Sequence, residues 1–178
     1  MTLPTGFRIV AERAGDAAAI EALLDRAFGA DRRLKRSHSF RDGIASEPAL
    51  RLVALDPAGA LVGTLRFWPV LVGAPSSQAR AALLLGPLAV EPGLKGRGVG
   101  RALVHGGLDA ARSAGHALVL LVGDPSYYAQ FGFVPAAPLG FDMPGERPER
   151  LQICPAASKR KSAAWRHGRG CSPAGCST

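Results

Sequence analysis

Cysteine is scarce in this chain and poorly placed for cross-linking. The three that occur, Cys154, Cys171 and Cys176, are late, odd in number and irregularly spaced, which argues against a disulfide framework. Together with His167 they match no zinc knuckle or finger, so no metal is expected. No apolar run reaches the length of a membrane span. The N-terminus carries no basic segment followed by an apolar core of the kind that marks a secretory signal. A cytoplasmic protein that does not engage a membrane is the expectation. Aromatic residues make up only 6% of the chain, so its basic segments have no stacking platform and nucleic acid is not an expected partner.

Acid is absent from the last stretch. Residues 151–178 carry Lys159, Arg160, Lys161, Arg166 and Arg169 with no Asp or Glu, so more than half of the net charge of +8 sits there. Their Ser/Ala/Gly/Pro setting has no helical period, and a solvated, poorly ordered basic tail is expected. Leu151-Gln152-Ile153-Cys154 begins like a strand and then dissolves. The remaining 1–150 are rich in Leu, Val and Ala, and 178 residues favour a single domain.

What the body contains is a strand-rich pattern with two clear helices. Residues 7–11 read as a first strand. Asp16 is a plausible N-cap for a helix carrying Ala17, Ile20, Leu23, Leu24, Ala27 and Phe28 at helical spacing. Residues 29–49 are basic, with Arg32, Arg33, Lys35, Arg36, His38 and Arg41. Residues 50–55 and 60–72 read as strands around the turn Asp56-Pro57-Ala58-Gly59, and Gly63 with Pro69 suggests a kink or a sheet edge in the second. Residues 80–90 form a long leucine-rich strand interrupted at Gly86-Pro87, where a bulge is expected because proline cannot donate a ladder bond. A helix over 101–114 and a buried strand over 117–122 follow, then a short helix at 127–131 and a strand from Phe133. Frequent prolines afterwards argue against long elements.

The informative stretch is Lys95-Gly96-Arg97-Gly98-Val99-Gly100-Arg101, between the strand end Leu88-Ala89-Val90 and the second helix. Alternating glycines let backbone amides converge without Cβ interference. The helix N-terminus behind them adds partial positive charge, which suits a phosphate or pyrophosphate. Spacing narrows the ligand. A P-loop requires Lys-Ser/Thr after the last glycine, and Arg101-Ala102 stands there; a dinucleotide fingerprint requires a sixth-position glycine, and Leu103 stands there.

The pattern that fits is Arg/Gln-x-x-Gly-x-Gly/Ala, with Lys95 first and Gly98 and Gly100 as its glycines. It resembles the acyl-CoA-binding motif of the GNAT superfamily of N-acetyltransferases. Lys95 departs from the usual Arg or Gln, which keeps the charge but replaces a planar fork by a point charge. A second motif agrees: Tyr128 lies four residues before Gly132-Phe133, where the superfamily commonly places the acid that protonates the departing CoA thiolate. The resemblance runs from about residue 6 to residue 135. It implies an α/β (α+β) fold with a mixed, mostly antiparallel sheet, two parallel strands that splay apart, and flanking helices.

By that resemblance the cosubstrate is acetyl-CoA, held by Leu88, Ala89, Val90, Lys95, Gly96, Arg97, Gly98, Val99, Gly100 and Arg101. A small-molecule or protein amine would attack directly in a ternary complex. Alignment alone supplies much of such a rate, a backbone amide among residues 88–90 would meet the developing oxyanion, and Tyr128, a phenol of pKa about 10, would serve as the acid. Tyr127 could substitute for it or line the acceptor pocket. Asp124, Glu91, His38 and His116 are the candidate bases, and none is assigned. His105 reads as surface, and Cys154 shows no partner histidine for a nucleophilic role. Two alternatives stay open, a non-catalytic acyl-CoA sensor and a nucleotide-binding α/β domain. A missing closing strand after residue 150 would leave an exposed edge and favour a homodimer.

Overall fold

In the computed structural model, residues 3–29, 31–32, 43–73 and 79–155 are described. The basic segment from Arg33 to residue 41 and the tail from residue 156, with Cys171, Cys176 and His167, lie outside them. Seven strands form one sheet: β1 (Arg8–Ala11), β2 (Leu52–Leu55), β3 (Leu61–Val72), β4 (Arg80–Val90), β5 (Leu118–Val122), β6 (Val134–Pro135) and β7 (Leu151–Pro155). Their order is β1-β2-β3-β4-β5-β7-β6. Every neighbouring pair is antiparallel except β4 and β5. The mixed sheet with one parallel pair is the arrangement expected.

Two helices cover opposite faces. On one face, α1 (Ala17–Phe28) buries Ile20, Leu23 and Leu24 against Val53 and Ala89. Asp16 precedes it, but its carboxylate turns backwards and accepts from the Arg13 N–H at 2.7 Å instead of capping α1. On the other face, α2 (Val99–Ser113) packs Leu103, Val104, Leu108 and Ala111 against Leu65, Phe67 and Leu83. It starts at Val99, two residues before the expected 101, because Gly98 supplies the left-handed turn that launches it.

Close approach of α2 to the sheet depends on Gly107. A Cβ there would stand 2.7 Å from Phe67 Cε2 and 2.8 Å from Leu65 Cδ2. Alanine would gain up to about 1 kcal/mol of helix propensity, but forcing both side chains aside costs about 1–3 kcal/mol. Gly107→Ala is therefore expected to lower Tm by roughly 3–6 °C in a scan followed by circular dichroism.

Pro69 does not kink β3, which runs unbroken. β2 pairs with it only as far as Leu65, and beyond that the Phe67 carbonyl accepts from the Glu47 N–H at 2.8 Å. Alternation puts the Pro69 nitrogen on the same uncovered edge, where no ladder donor is required. The bulge expected in β4 is present: Leu65 faces Leu88 and Phe67 faces Leu85, so Gly86 and Pro87 together stand against Arg66. Trp68 holds that bulge by donating its indole N–H to the Gly86 carbonyl at 2.6 Å.

The sheet continues past residue 150. All five residues of β7 pair with β5, and β6 pairs with its other edge. Leu151, Gln152, Ile153 and Cys154 are buried, so the closing strand whose loss was considered is in place, and the residues after Pro155 lie outside the described ones. Proline-rich flanks obscured this strand in the sequence, yet Leu151 and Ile153 alternate toward one face with Leu84 and Leu120.

Candidate active site

β4 and β5 pair only through Leu83–Val119 and Leu84–Leu120. β4 then runs on to Val90 and β5 to Val122 without further bonds between them, so the strands part and leave a gap. The Glu91 N–H donates to the Val62 carbonyl at 2.8 Å, on the β3 side. Alternation along the strand then turns the backbone of Ala89 toward β3 and that of Leu88 and Val90 toward the gap. All three residues expected there border the groove; Leu88 and Val90 turn their amides toward the gap, whereas the side chain of Ala89 is buried.

Beside the gap lies a groove of about 350 Å³ bordered by Leu88, Val90, Lys95, Gly98, Gly100 and Arg101, with Tyr127 across from them. Gly96 and Gly98 have φ of +80° and +89°, a region costly for any residue with a Cβ. Gly100 is needed for space: a Cβ there would sit 3.2 Å from Tyr127 Oη and 3.3 Å from Val90 Cγ2. The first intrahelical bond runs from Ala102 N to Gly98 O at 2.9 Å, leaving the amides of Val99 and Gly100 as open first-turn donors. The Val99 side chain is buried in the core. Lys95 and Arg97 are exposed at the mouth, and only Lys95 borders the groove itself.

The second motif folds as α3 (Pro125–Tyr128), continued by a 3-10 turn at Ala129–Phe131. Asp124 caps it, accepting from Ser126 N and Ser126 Oγ at 2.9 Å each. These bonds hold its carboxyl below the ordinary range, the Ser126 hydroxyl first among the causes. The two tyrosines diverge. Tyr127 faces the groove, while Tyr128 faces a larger cavity of about 780 Å³ on the other side of the gap. Gly123 leaves room for the Tyr128 ring, which a Cβ there would strike. The rings of Tyr127 and Phe133 stand edge-on to Tyr128 at centroid distances of 4.9 and 5.8 Å. Burial pushes the Tyr128 phenol well above its ordinary value, with neighbouring Tyr127 adding to the rise and Arg150 opposing it. The group is a firmly protonated donor. Burial also raises Tyr127, against an opposing effect of Arg101.

Besides Asp124, the larger cavity contains several charges, of which the sequence reading names Arg32 alone, in its basic segment. Arg66 projects from β3 opposite the bulge, held by Glu12 through bonds of 2.7 and 2.8 Å. Arg32 is held by Asp25 at 2.8 Å and by Glu21. Glu146, Arg147 and Arg150 come from the segment before β7. Arg66 carried a signal, a charge between Leu65 and Phe67 in an apolar strand; Glu146, Arg147 and Arg150 came from a distant loop without pattern.

Among the candidate bases, Glu91 is engaged by Arg26 through Nε at 3.2 Å to both oxygens and through Nη2 at 2.9 Å. Asp124 is occupied as a cap. His116 follows α2 and borders neither cavity, and His38 lies outside the described residues. His105 is exposed, with its ring against Phe131 at 5.1 Å. Cys154 is buried, and burial pushes its thiol up, away from the thiolate a nucleophile needs. Among the described residues, no three metal-ligating side chains gather and no helix is long and apolar enough to cross a membrane.

Comparison with known proteins gives a consistent picture. The family model described as the acetyltransferase (GNAT) domain matches residues 9–136. The uncharacterized N-acetyltransferase YhbS of Escherichia coli strain K12 is 41% identical over 123 residues, covering 68% of this chain and 70% of that protein. A crystal structure of Escherichia coli YhbS in complex with CoA superposes with a TM-score of 0.72 at 35% identity, covering 88% of this chain and 86% of that one. A GNAT family acetyltransferase from Brucella melitensis in complex with acetyl-CoA gives a TM-score of 0.62 at 28% identity, with coverage of 84% and 87%.

Proposed function

Because the chain belongs to the GNAT acetyltransferase family, we propose that it transfers the acetyl group of acetyl-CoA to a primary amine, on a small molecule or an exposed protein segment. The observation that carries this reading is the meeting of two cavities at one gap in the sheet. A glycine-lined helix N-terminus borders one, and a protonated phenol borders the other.

The groove suits the cosubstrate. Its open first-turn amides and the cations Lys95 and Arg101 match a diphosphate, and the amides of Leu88 and Val90 give an extended pantetheine arm a strand edge to pair with. Leu88 N–H, at the strand's exposed edge, is the donor proposed for the oxyanion. With the acyl carbon at the gap, a neutral amine in the larger cavity attacks it directly. The C–S bond breaks as Tyr128 gives its proton to the leaving sulfur, and the proton shed by the acylated nitrogen passes through solvent to restore the phenol. A thioester already carries a good leaving group, so no covalent intermediate on the protein is invoked. The buried Cys154 fits that economy.

The test is direct. Calorimetry with CoA and acetyl-CoA reads the groove, and thiol release from acetyl-CoA over a panel of amines reads the transfer. Amine-dependent release is the expected result. Tight CoA binding with no release for any amine would favour the sensor reading, and no binding by folded protein would remove both.

A further inference from the structure

We infer that Phe28, the last residue of α1, sets the limit on acyl-chain length. This rests on the transferase reading and extends it to the choice of acyl donor. Among the described residues, the groove and the larger cavity share two bordering residues, Phe28 and Leu88. A thioester whose coenzyme lies in the groove and whose carbonyl meets an amine in the cavity must cross between them there. Leu88 belongs to β4, paired with Leu65 of β3, so this side of the passage is fixed. Phe28 forms the other side from a helix end.

Its position is held on two sides. Gly29, with φ +84°, ends the helix and donates its N–H to the Asp25 carbonyl at 2.9 Å. Arg26, two residues before Phe28, grips Glu91, three residues beyond Leu88. That ion pair is largely exposed, at 50% for Arg26 and 31% for Glu91, so it adds little stability. Its effect is positional, because it ties the end of α1 to the end of β4 directly beside the passage. Phe28 itself is 42% exposed, an aromatic ring kept at the surface of two cavities and outside the core clusters. Beyond it, about 780 Å³ of space has room for chains longer than acetyl. Selection against them therefore falls to the passage.

The experiment measures binding and needs no knowledge of the acceptor. Free CoA, acetyl-CoA, propionyl-CoA and butyryl-CoA are titrated calorimetrically into the native protein, Phe28→Ala, Phe28→Leu and Glu91→Gln. In the native protein, affinity falls about tenfold or more from acetyl-CoA to butyryl-CoA, the range a methylene or two commands in a closed pocket. In Phe28→Ala the difference shrinks to about threefold or less, with Phe28→Leu in between. Glu91→Gln moves the same ratio part of the way while free CoA binds as before, an outcome that a purely structural ion pair would not produce. Equal binding of all three thioesters by the native protein overturns the inference, as does full discrimination retained by folded Phe28→Ala. Failure of folded native protein to bind even free CoA sinks the transferase reading instead, and the passage with it.

Discussion

Tyr128→Phe is expected to lower kcat by about 10²–10³-fold, within the range for loss of a positioned general acid, while CoA affinity stays within about twofold. The two effects separate because Tyr128 borders the larger cavity and not the groove. The phenylalanine ring keeps the edge contacts with Tyr127 and Phe133, so the fold loses little, and the deficit lies in the proton delivered to sulfur. Tyr127→Phe supplies the contrast. Its hydroxyl stands over Gly100 in the groove, and its loss should appear in KM for acetyl-CoA with kcat nearly unchanged. A reversal of these two patterns would exchange the tyrosines' roles.

The pH dependence follows in sign. A phenol acts as acid only while protonated, and burial raises Tyr128 above the ordinary value of 10.0. Activity should therefore show no falling limb attributable to Tyr128 below about pH 10. Any ascending limb at lower pH belongs to deprotonation of the acceptor amine or of a base, and it should persist in the residual activity of Tyr128→Phe. Loss of that limb in the variant would tie it to the tyrosine and contradict the assignment.

Gly100→Val is expected to weaken CoA binding by about a hundredfold, or about 2.7 kcal/mol, with a circular dichroism spectrum like that of the native protein. The first Cβ atom already meets Tyr127 Oη at 3.2 Å and Val90 Cγ2 at 3.3 Å, and two further methyl groups have the groove as their outlet. Gly98→Ala tests another property of the same loop. Its φ of +89° makes any Cβ cost about 1–2 kcal/mol in the free protein as well, so affinity and Tm should fall together. If Gly100→Val bound CoA normally, the groove would not be the diphosphate site.

Local pattern disclosed most of the elements. The leucine-rich strands, the helical spacing of Ile20, Leu23 and Leu24, and the proline at the β4 bulge each state their conformation within a few residues, because burial on one face imposes a period. β7 was harder to read, since a five-residue strand between prolines and a basic tail has too few turns of period to stand out. Asp16 misled for a related reason: a carboxylate before a helix can bond in either direction, and its choice depends on where the Arg13 N–H lies. Of the two readings Pro69 allowed, a kink or a sheet edge, the edge holds, and only the structure shows which edge of β3 is left uncovered.

By itself the sequence determined the chemistry of the loop. Glycines at alternating positions, a lysine and arginines among them, and a tyrosine four residues before Gly132-Phe133 are local facts, and their meaning depends on spacing along the backbone. Tertiary structure alone decided which amides face the gap, that Tyr127 and Tyr128 look into different cavities, and that Glu91 is held by Arg26 and is not available as a base. It also decided that Phe28 and Leu88, sixty residues apart, border the same two cavities. Contacts of that kind arise when separate elements close on a common core, and their partners share no period or spacing through which either could announce the other.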